Sequence, residues 1–185
     1  MHPILRDMKI IGFIGIDGAV EMVLKGDSCL LNNRKPFFLP EPNAEIRMTP
    51  CMVLRVSRLG KHIAPKFASR YYDAVAHGAD FQDEILLAQA RKTGGAWTQA
   101  IAFDYSLAIG EWIMDSAIPL TYREQDAHVP GSINLLISPE EAIAEVSKLM
   151  TIRQGDLIYI QRTNGSRIVK PEEVIEAEGL YCKVK

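Results

Sequence analysis

CMVLRVSRLGK, from Cys51 to Lys61, alternates its side chains in the manner of a β-strand. Met52, Leu54 and Val56 fall on one face, because successive side chains of a strand point to opposite sides of the sheet. Gly60 is a turn signal at the end of the pattern. The alternation therefore predicts a strand that ends near this glycine.

Further strands are predicted toward both ends of the chain. IIGFIGI, from Ile10 to Ile16, is rich in β-branched residues and is followed by an Asp-Gly pair, which is typical of a turn. LIYIQR and VIEAEGLYCKVK have the composition of closing strands. Between these strands, the prolines of KPFFLPEPN exclude a helix and indicate an extended connector.

Three segments predict helices. APKFASRYYDAV has helical spacing with Pro65 near its first turn, and residues 80–92 form a second candidate in which Asp80 acts as the N-cap. The strongest pattern covers Glu140 to Leu149, where an apolar stripe follows a Ser138 cap. Because strands outnumber helices and the connections are irregular, the sequence predicts an α+β fold with a mixed, mostly antiparallel sheet.

Length and composition limit the classes of function. The 185 residues suit one domain, residues 1–185, with a core of ordinary size. Hydrophobic residues make up 48% and charged residues 24%, and the net charge of -2 gives no reason to expect nucleic acid or a membrane as partner. The apolar run at residues 10–16 is too short to span a bilayer and lacks a cleavage pattern. The three cysteines show no CxxC spacing, which predicts free buried thiols and a cytoplasmic protein.

Six segments occur in a recognisable order: LKGDSCLL, KPFFLP, LRVSRLGKHI, FASRYYDAV, AFDYSLAIGEWI and TIRQGDLIYI. In this order they resemble the fumarylacetoacetate hydrolase family, and in particular its small bacterial branch. The resemblance covers nearly the whole chain and is weakest over residues 116–132. It implies a β-sheet roll, a homodimer, and kinship with metal-dependent hydrolases, isomerases and decarboxylases that act on small 2-oxo or enol acids.

The metal site implied by this resemblance is altered. In the family, a Glu-x-Glu pair on a strand and a later Asp hold the ion, because residues two apart on a strand point to one face. Those positions correspond here to Thr49, Cys51 and Asp80. One carboxylate with a hydroxyl and a thiol is a poor ligand set for Mg2+ or Mn2+. The resemblance therefore implies a vestigial ligand at Asp80 and no metal cofactor.

Other family positions are altered as well. The family's Lys three residues before Asp104 is Ile101, and the position of its acid-base His is Glu21. Glu84 stands where the family has an arginine, and the Thr-Gly-Thr-Pro loop reads IQRTNGS. These replacements imply that the family's catalytic residues are absent.

A zinc site built from Cys51, His77 and Asp80 is a further arrangement to consider, because zinc accepts softer ligands. Residues 77 and 80 of an extended segment face opposite ways, however, which counts against this set. The remaining histidines lie in polar, turn-like surroundings and are expected to be solvated; they are His2, His62 and His128.

Two hypotheses follow for the function. The first is a pseudoenzyme that has lost metal and chemistry but keeps a ligand-binding or interaction role, with a small acid as ligand and Lys25 and Ser28 as substrate-binding candidates carried over from the family. The second is an active hydrolase, isomerase or decarboxylase that uses Mg2+ or Mn2+ on a small 2-oxo or enol acid. In either case a homodimer is expected, with RYYDAV burying surface between subunits.

Overall fold

The computed structural model of the protein describes residues 8–114, 133–177 and 179–185. Its strands are β1 Ile10–Ile16, β2 Ala19–Lys25, β3 Leu30–Asn32, β4 Ile46–Val56, β5 Tyr72–Asp83, β6 Leu107–Ile109, β7 Ile113–Met114, β8 Leu157–Gln161, β9 Arg167–Ile168, β10 Val174–Ala177 and β11 Leu180–Lys183. Its α-helices are α1 Glu84–Thr93, α2 Thr98–Ile101 and α3 Pro139–Leu149, and short 3-10 helices cover Asp27–Cys29 and Pro65–Arg70.

One sheet organises the described part of the chain. Nine strands belong to it, in the order β2-β1-β8-β4-β5-β6-β3, with β7 beside β5 and β9 beside β4. β1 pairs with β8 and β3 with β6 in parallel, whereas the other described pairs of this sheet are antiparallel. β10 and β11 form a separate hairpin. The predicted α+β fold with a mixed, mostly antiparallel sheet is confirmed.

The two central strands, β4 and β5, are buried on both faces. Met52 and Leu54 belong to one apolar cluster, to which α3 contributes Ile143, whereas Cys51 and Val53 on the opposite face of β4 belong to another. β4 and β5 pair antiparallel over nearly their full lengths. Asp80 and Gln82, in the second half of β5, therefore point into an interior and not toward solvent.

The helix predicted around residue 65 is wrong, and the helix predicted over residues 80–92 is present but begins later, at Glu84. Only Pro65–Arg70 is helical, as a 3-10 helix, and Tyr72 already begins β5. Asp80 is not a helix cap, because it lies within β5; the cap of α1 is Asp83, whose side chain accepts a hydrogen bond from the Leu86 N–H. Pairing with β4 along this whole stretch outweighs the local helical spacing, since tertiary context routinely overrides propensity.

The helix near residue 140 and the strands near the two ends of the chain are confirmed. Ser138 caps α3 with a reciprocal capping box, in which its hydroxyl accepts from the Glu141 N–H and the Glu141 carboxylate accepts from the Ser138 N–H. β1, β8, β10 and β11 lie where the sequence patterns place them. No helix in the described ranges is long and apolar enough to cross a membrane. His2, His128 and residues 116–132 lie outside the described residues.

Candidate functional site

Asp80 lies at the centre of the candidate site, and the strand register determines its neighbours. Thr49 on β4 is directly opposite Asp80 on β5, and Cys51 is opposite Gly78. A methyl group on Gly78 would lie 2.8 Å from Cys51 Sγ, so this glycine makes room for the thiol. The three positions singled out in the sequence, 49, 51 and 80, are therefore brought together on one face.

Lys25 provides the counter-charge of Asp80. Its Nζ lies 2.6 Å from Asp80 Oδ1, and both side chains are fully buried. The same ammonium donates to the carbonyl and the hydroxyl of Ser106, each at 2.9 Å. Because Lys25 ends the edge strand β2 and Ser106 directly precedes β6, the sheet is rolled so that its first strand reaches the far side of the interior.

The second oxygen of Asp80 faces two amides. Gln161 Nε2 donates to Asp80 Oδ2 at 2.7 Å and Gln82 Nε2 donates to it at 3.1 Å. Gln161 is itself held in place, because its Oε1 accepts from the Gly15 N–H at 2.9 Å. Both carboxylate oxygens thus face nitrogen donors, which is how proteins accommodate a buried charge.

Burial raises the pKa of the titratable groups around this pair. It raises the pKa of Asp80 above its ordinary value, and Lys25 and the two amides oppose that rise. Burial, followed by the charge of Asp80, raises the pKa of Cys51 and of Tyr159 well above their usual ranges. At neutral pH the thiol and the phenol are therefore protonated, and a protonated thiol is not a nucleophile.

Tyr159 fits beside the ion pair only because a glycine faces it. A methyl group on Gly12 would come within 2.1 to 2.4 Å of the Tyr159 ring and hydroxyl. The hydroxyl is buried without a hydrogen-bond partner, and Lys25 Nζ lies 5.6 Å from the ring centroid. The aromatic ring therefore closes one side of the site against water.

A polar pocket of about 270 Å3 opens beside this buried group. Thr49, Gln82 and Gln161 line it, so it is adjacent to the residues that contact or oppose Asp80. Its other polar lining side chains are Asp17, Arg47, Glu84, Arg91, Arg162, Thr163 and Ser166.

The guanidinium groups of the pocket differ in their partners. Arg47 makes a two-point contact with Glu84, at 2.6 and 3.0 Å, and Arg91 pairs with Asp17. Arg162 Nε is buried and has no hydrogen-bond partner.

The sequence matches a known protein family over most of its length. The family model described as fumarylacetoacetate (FAA) hydrolase C-terminal matches residues 14–180. The chain belongs to the fumarylacetoacetate hydrolase family. This confirms the resemblance found in the sequence. No curated protein matches the chain.

Solved structures show the same fold. Fumarylpyruvate hydrolase from Pseudomonas aeruginosa, in complex with Mn2+ and pyruvate, matches with a TM-score of 0.79 and 20% identity, covering 97% of this chain and 89% of that one. The 5-carboxymethyl-2-hydroxymuconate delta-isomerase from Mycobacterium smegmatis matches with a TM-score of 0.73 and 17% identity, covering 96% and 78% of the two chains. At these identities the likeness shows the fold, and the predicted roll of the fumarylacetoacetate hydrolase type is confirmed.

The residues at the family's metal position do not fit a divalent ion. Asp80 is the only carboxylate of the three, and its oxygens face the ammonium of Lys25 and two amide donors. The Thr49 hydroxyl lies 3.1 Å from Ser166 Oγ. Among the described residues, no group of three His, Cys, Asp or Glu side chains is placed to hold a metal, so the zinc set with His77 is not assembled.

The other residues suggested by the sequence lie at varied distances from this centre. Ser28 is exposed in the 3-10 helix after β2, and its carbonyl accepts from the Tyr105 N–H. Glu21 is half-buried on β2 opposite Ile14, and Ile101 is buried in the core of the fumarylacetoacetate hydrolase roll. Of the two binding candidates carried over from the family, the structure therefore brings Lys25 to Asp80 and leaves Ser28 at the surface.

Sequence reasoning missed three residues of the site, namely Gln82, Gln161 and Arg162. Gln82 could have been found, because a residue two positions after Asp80 on a strand points to the same face. Gln161 and Arg162 end a predicted strand, but the contact of Gln161 with Asp80 depends on the pairing of β8 with β4, and the sequence does not specify that pairing.

Proposed function

We propose that this protein is a non-catalytic member of the fumarylacetoacetate hydrolase family that binds no divalent ion at Asp80. The observation that carries the proposal is the buried contact between Lys25 Nζ and Asp80 Oδ1, at 2.6 Å. An ammonium at this position supplies the positive charge that a metal would bring. The family's remaining aspartate therefore has a structural role here and needs no cofactor.

Electrostatics support this interpretation. Two like unit charges 4 Å apart repel by about 4 kcal/mol at an effective dielectric constant of 20, so a divalent ion beside the Lys25 ammonium is opposed by roughly twice that amount. The Glu-x-Glu pair of the family would offset this repulsion with two negative charges, but Thr49 and Cys51 at those positions supply none. Displacement of Lys25 from Asp80 by a metal ion would leave the ammonium in a dry interior without its partner, which is itself costly.

Two further family positions carry residues that do not suit catalysis. Ile101 cannot transfer a proton, and Glu84, which is tied to Arg47, places a negative charge where a cation would hold an acidic substrate. The side chains that line the pocket are mainly guanidinium, amide and hydroxyl groups. They are suited to bind a small acid and not to activate it.

A second candidate function keeps catalysis. It is favoured by the position of the pocket beside Asp80, and by the Pseudomonas aeruginosa fumarylpyruvate hydrolase, whose structure holds Mn2+ and pyruvate. Under this alternative the protein is a metal-dependent hydrolase, isomerase or decarboxylase of a small 2-oxo or enol acid. It requires Lys25 to move away from Asp80 when the metal binds.

A homodimer is part of the proposal and rests on the family alone. The RYYDAV segment does not supply the whole contact, because Tyr72 is buried in the protein's own core. Light scattering at micromolar concentration tests it, and a monomer mass would contradict it.

Two measurements on the unmodified protein test the loss of metal and chemistry. Thermal unfolding in millimolar Mg2+ or Mn2+ should match unfolding in EDTA, because a bound ion at a hundredfold excess over its Kd would stabilise the fold by about 2.7 kcal/mol. Fumarylpyruvate and 5-carboxymethyl-2-hydroxymuconate, incubated with Mn2+, should turn over no faster than with the Asp80→Asn variant. A saturable metal effect that Asp80→Asn abolishes, or turnover that depends on Mn2+, would establish the catalytic alternative.

A further inference from the structure

Arg162 is the unexplained group of the pocket. It directly follows β8, next to Gln161, and its Nε is buried without a hydrogen-bond partner. Buried donors in native proteins almost always have a partner, so an unsatisfied one requires an explanation. Arg162 lines the pocket, and the fork of N–H groups of a guanidinium matches the two oxygens of a carboxylate, so a bound acid would give this side chain a partner that the protein does not supply.

We propose that this pocket binds a small monocarboxylic acid, held directly by Arg162 and without a metal ion. Among the described residues, three guanidinium groups and two carboxylates line the pocket, and each carboxylate pairs with one of the arginines: Asp17 with Arg91 and Glu84 with Arg47. One positive charge is left, and it belongs to the arginine whose Nε has no partner. The charge of the ligand is therefore that of a single carboxylate.

The buried ion pair makes this binding favourable. Asp80 lies behind Gln82 and Gln161, and its negative charge would repel an anion in the pocket if it were uncompensated. Lys25 compensates it at 2.6 Å. In this respect the inference rests on the proposed function, since a metal ion at Asp80 would instead attract the acid to itself.

Size and lining narrow the class of acid further. Pockets for drug-sized ligands occupy roughly 300 to 1,000 Å3, and the volume of about 270 Å3 lies below that range, so the acid is short. The hydroxyls of Thr49 and Ser166 lie 3.1 Å apart at the pocket wall, and Thr163 adds a third. These groups can hydrogen-bond a hydroxyl substituent, which makes a short hydroxy acid the best match.

Lactate is a suitable probe, because it combines one carboxylate with one hydroxyl group. Lactamide, which has the same shape without the charge, is its matched control, and inorganic phosphate tests whether any oxyanion suffices. Each would be titrated in EDTA into the 15N-labelled full chain, with the Arg162 Nε–Hε resonance and the backbone amides of Gly15 and Thr163 followed by NMR. The lactate titration would then be repeated with millimolar Mn2+ in place of EDTA.

Substitutions of Arg162 test whether this residue binds the lactate carboxylate. Arg162→Gln should weaken lactate binding by about tenfold or more, the usual loss for a hydrogen bond to a charged group. Arg162→Lys, which keeps the charge but loses the fork, should weaken it less. Arg167→Gln is the matched control, because this arginine pairs with Glu173 and does not line the pocket, and it should bind lactate as the unmodified chain does.

The outcomes separate this inference from the proposed function. Saturable shifts with lactate in EDTA, absent with lactamide and lost in Arg162→Gln, support it. Tighter binding of phosphate than of lactate overturns the assignment to a carboxylic acid. No saturable shift in either condition, or lactate binding unchanged in Arg162→Gln, overturns the inference and leaves the proposed function standing. Lactate binding that requires Mn2+ overturns both.

Discussion

Two ion pairs of this protein have the same length and different surroundings. Lys25 and Asp80 approach to 2.6 Å with both side chains fully buried, and Arg47 and Glu84 approach to 2.6 Å with side chains 40% and 27% exposed. An exposed pair gains little, because water screens its charges and two long side chains must be ordered. A buried pair gives up far more hydration, so neither charge tolerates the loss of its partner. Distance alone therefore says little about what each pair contributes.

The comparison also separates two functions of charge in this fold. The buried pair lies in the dry interior of the roll, next to Tyr159, and fixes β2 against β5 and β6. The exposed pair lines the pocket and leaves its edge accessible to a ligand. One pair is therefore enclosed in the core, and the other borders a space that a ligand could enter.

The largest expected effect on stability comes from removing one partner of the buried ion pair. Lys25→Met and Asp80→Asn should each lower the free energy of unfolding by about 3 to 5 kcal/mol, because each leaves a buried group without compensation. Urea unfolding followed by circular dichroism measures this. The double variant should lose less than the sum of the two single losses, since it leaves no lone charge. Additive losses would show that the two residues do not depend on each other.

Sequence reasoning predicted the layers of the fold better than the site. β1, β4 and β8 were predictable because their β-branched and alternating residues are a local signal, and the Ser138 cap of α3 is local as well. β5 was not predicted, because FASRYYDAV has helical spacing, residues 80–92 indicate a second helix, and only the pairing with β4 selects the extended form.

The site depended on contacts that local patterns do not encode. Asp80 was found through the family resemblance, and the same alignment showed that its carboxylate partners had become Thr49 and Cys51. The contact of Lys25 with Asp80 was not foreseen, because it joins strands that are remote in the chain and depends on how tightly the sheet rolls. When a buried aspartate lacks the other carboxylates of the expected metal site, the sequence should be searched for a lysine or arginine that could pair with it.

The second prediction converts the buried pair back into a metal site. Thr49→Glu with Cys51→Glu restores the carboxylates, but Lys25 must also leave, so the informative variant adds Lys25→Met. This triple variant should gain about 2.7 kcal/mol at a hundredfold excess of Mn2+ over its Kd. Thermal unfolding against Mn2+ concentration measures the gain.

Two controls belong to this experiment. Adding Asp80→Asn should remove the metal effect, because it deletes the third ligand. The double variant that retains Lys25 should show a smaller gain, since its ammonium opposes the ion. An equal gain with and without Lys25 would contradict the idea that the lysine stands in for the metal.

The third prediction concerns pH. Burial raises the pKa of Asp80, and Lys25→Met removes the cation that opposes this rise, so the folded-state pKa of Asp80 increases further in the variant. Between the ordinary carboxyl pKa of about 3.9 and this raised value, the folded chain holds a proton that the unfolded chain has lost. The stability of the variant therefore falls as pH rises through that window and recovers as pH falls.

The quantity to measure is the stability deficit of Lys25→Met, which is the difference between its free energy of unfolding and that of the unmodified protein. It should shrink toward acid with a slope of up to about 1.4 kcal/mol per pH unit, the value for one proton. Lys61→Met is the control, because Lys61 is an exposed lysine that contacts only the Leu149 carbonyl among the described hydrogen bonds and ion pairs. A Lys25→Met deficit that stays constant from pH 8 to 5 would mean that Asp80 does not titrate in this range.

The smallest effect is expected at the exposed pair. Glu84→Gln should cost about 0.2 to 1 kcal/mol through the lost contact with Arg47, the usual range for a solvent-exposed ion pair. Glu84 also begins α1, and a negative charge in the first helical turn contributes about 0.3 to 1 kcal/mol by itself. A double-mutant cycle with Arg47→Gln separates the two contributions, because the coupling energy includes the ion pair and excludes the interaction of Glu84 with the helix terminus. The coupling energy of Arg47 and Glu84 should be smaller in 1 M salt, where the screening length is about 3 Å. The coupling energy of Lys25 and Asp80 should be nearly insensitive to salt, because water and ions do not reach this pair. A coupling above 2 kcal/mol at the exposed pair, or a salt-dependent coupling at the buried one, would show that burial is not what distinguishes two contacts of equal length.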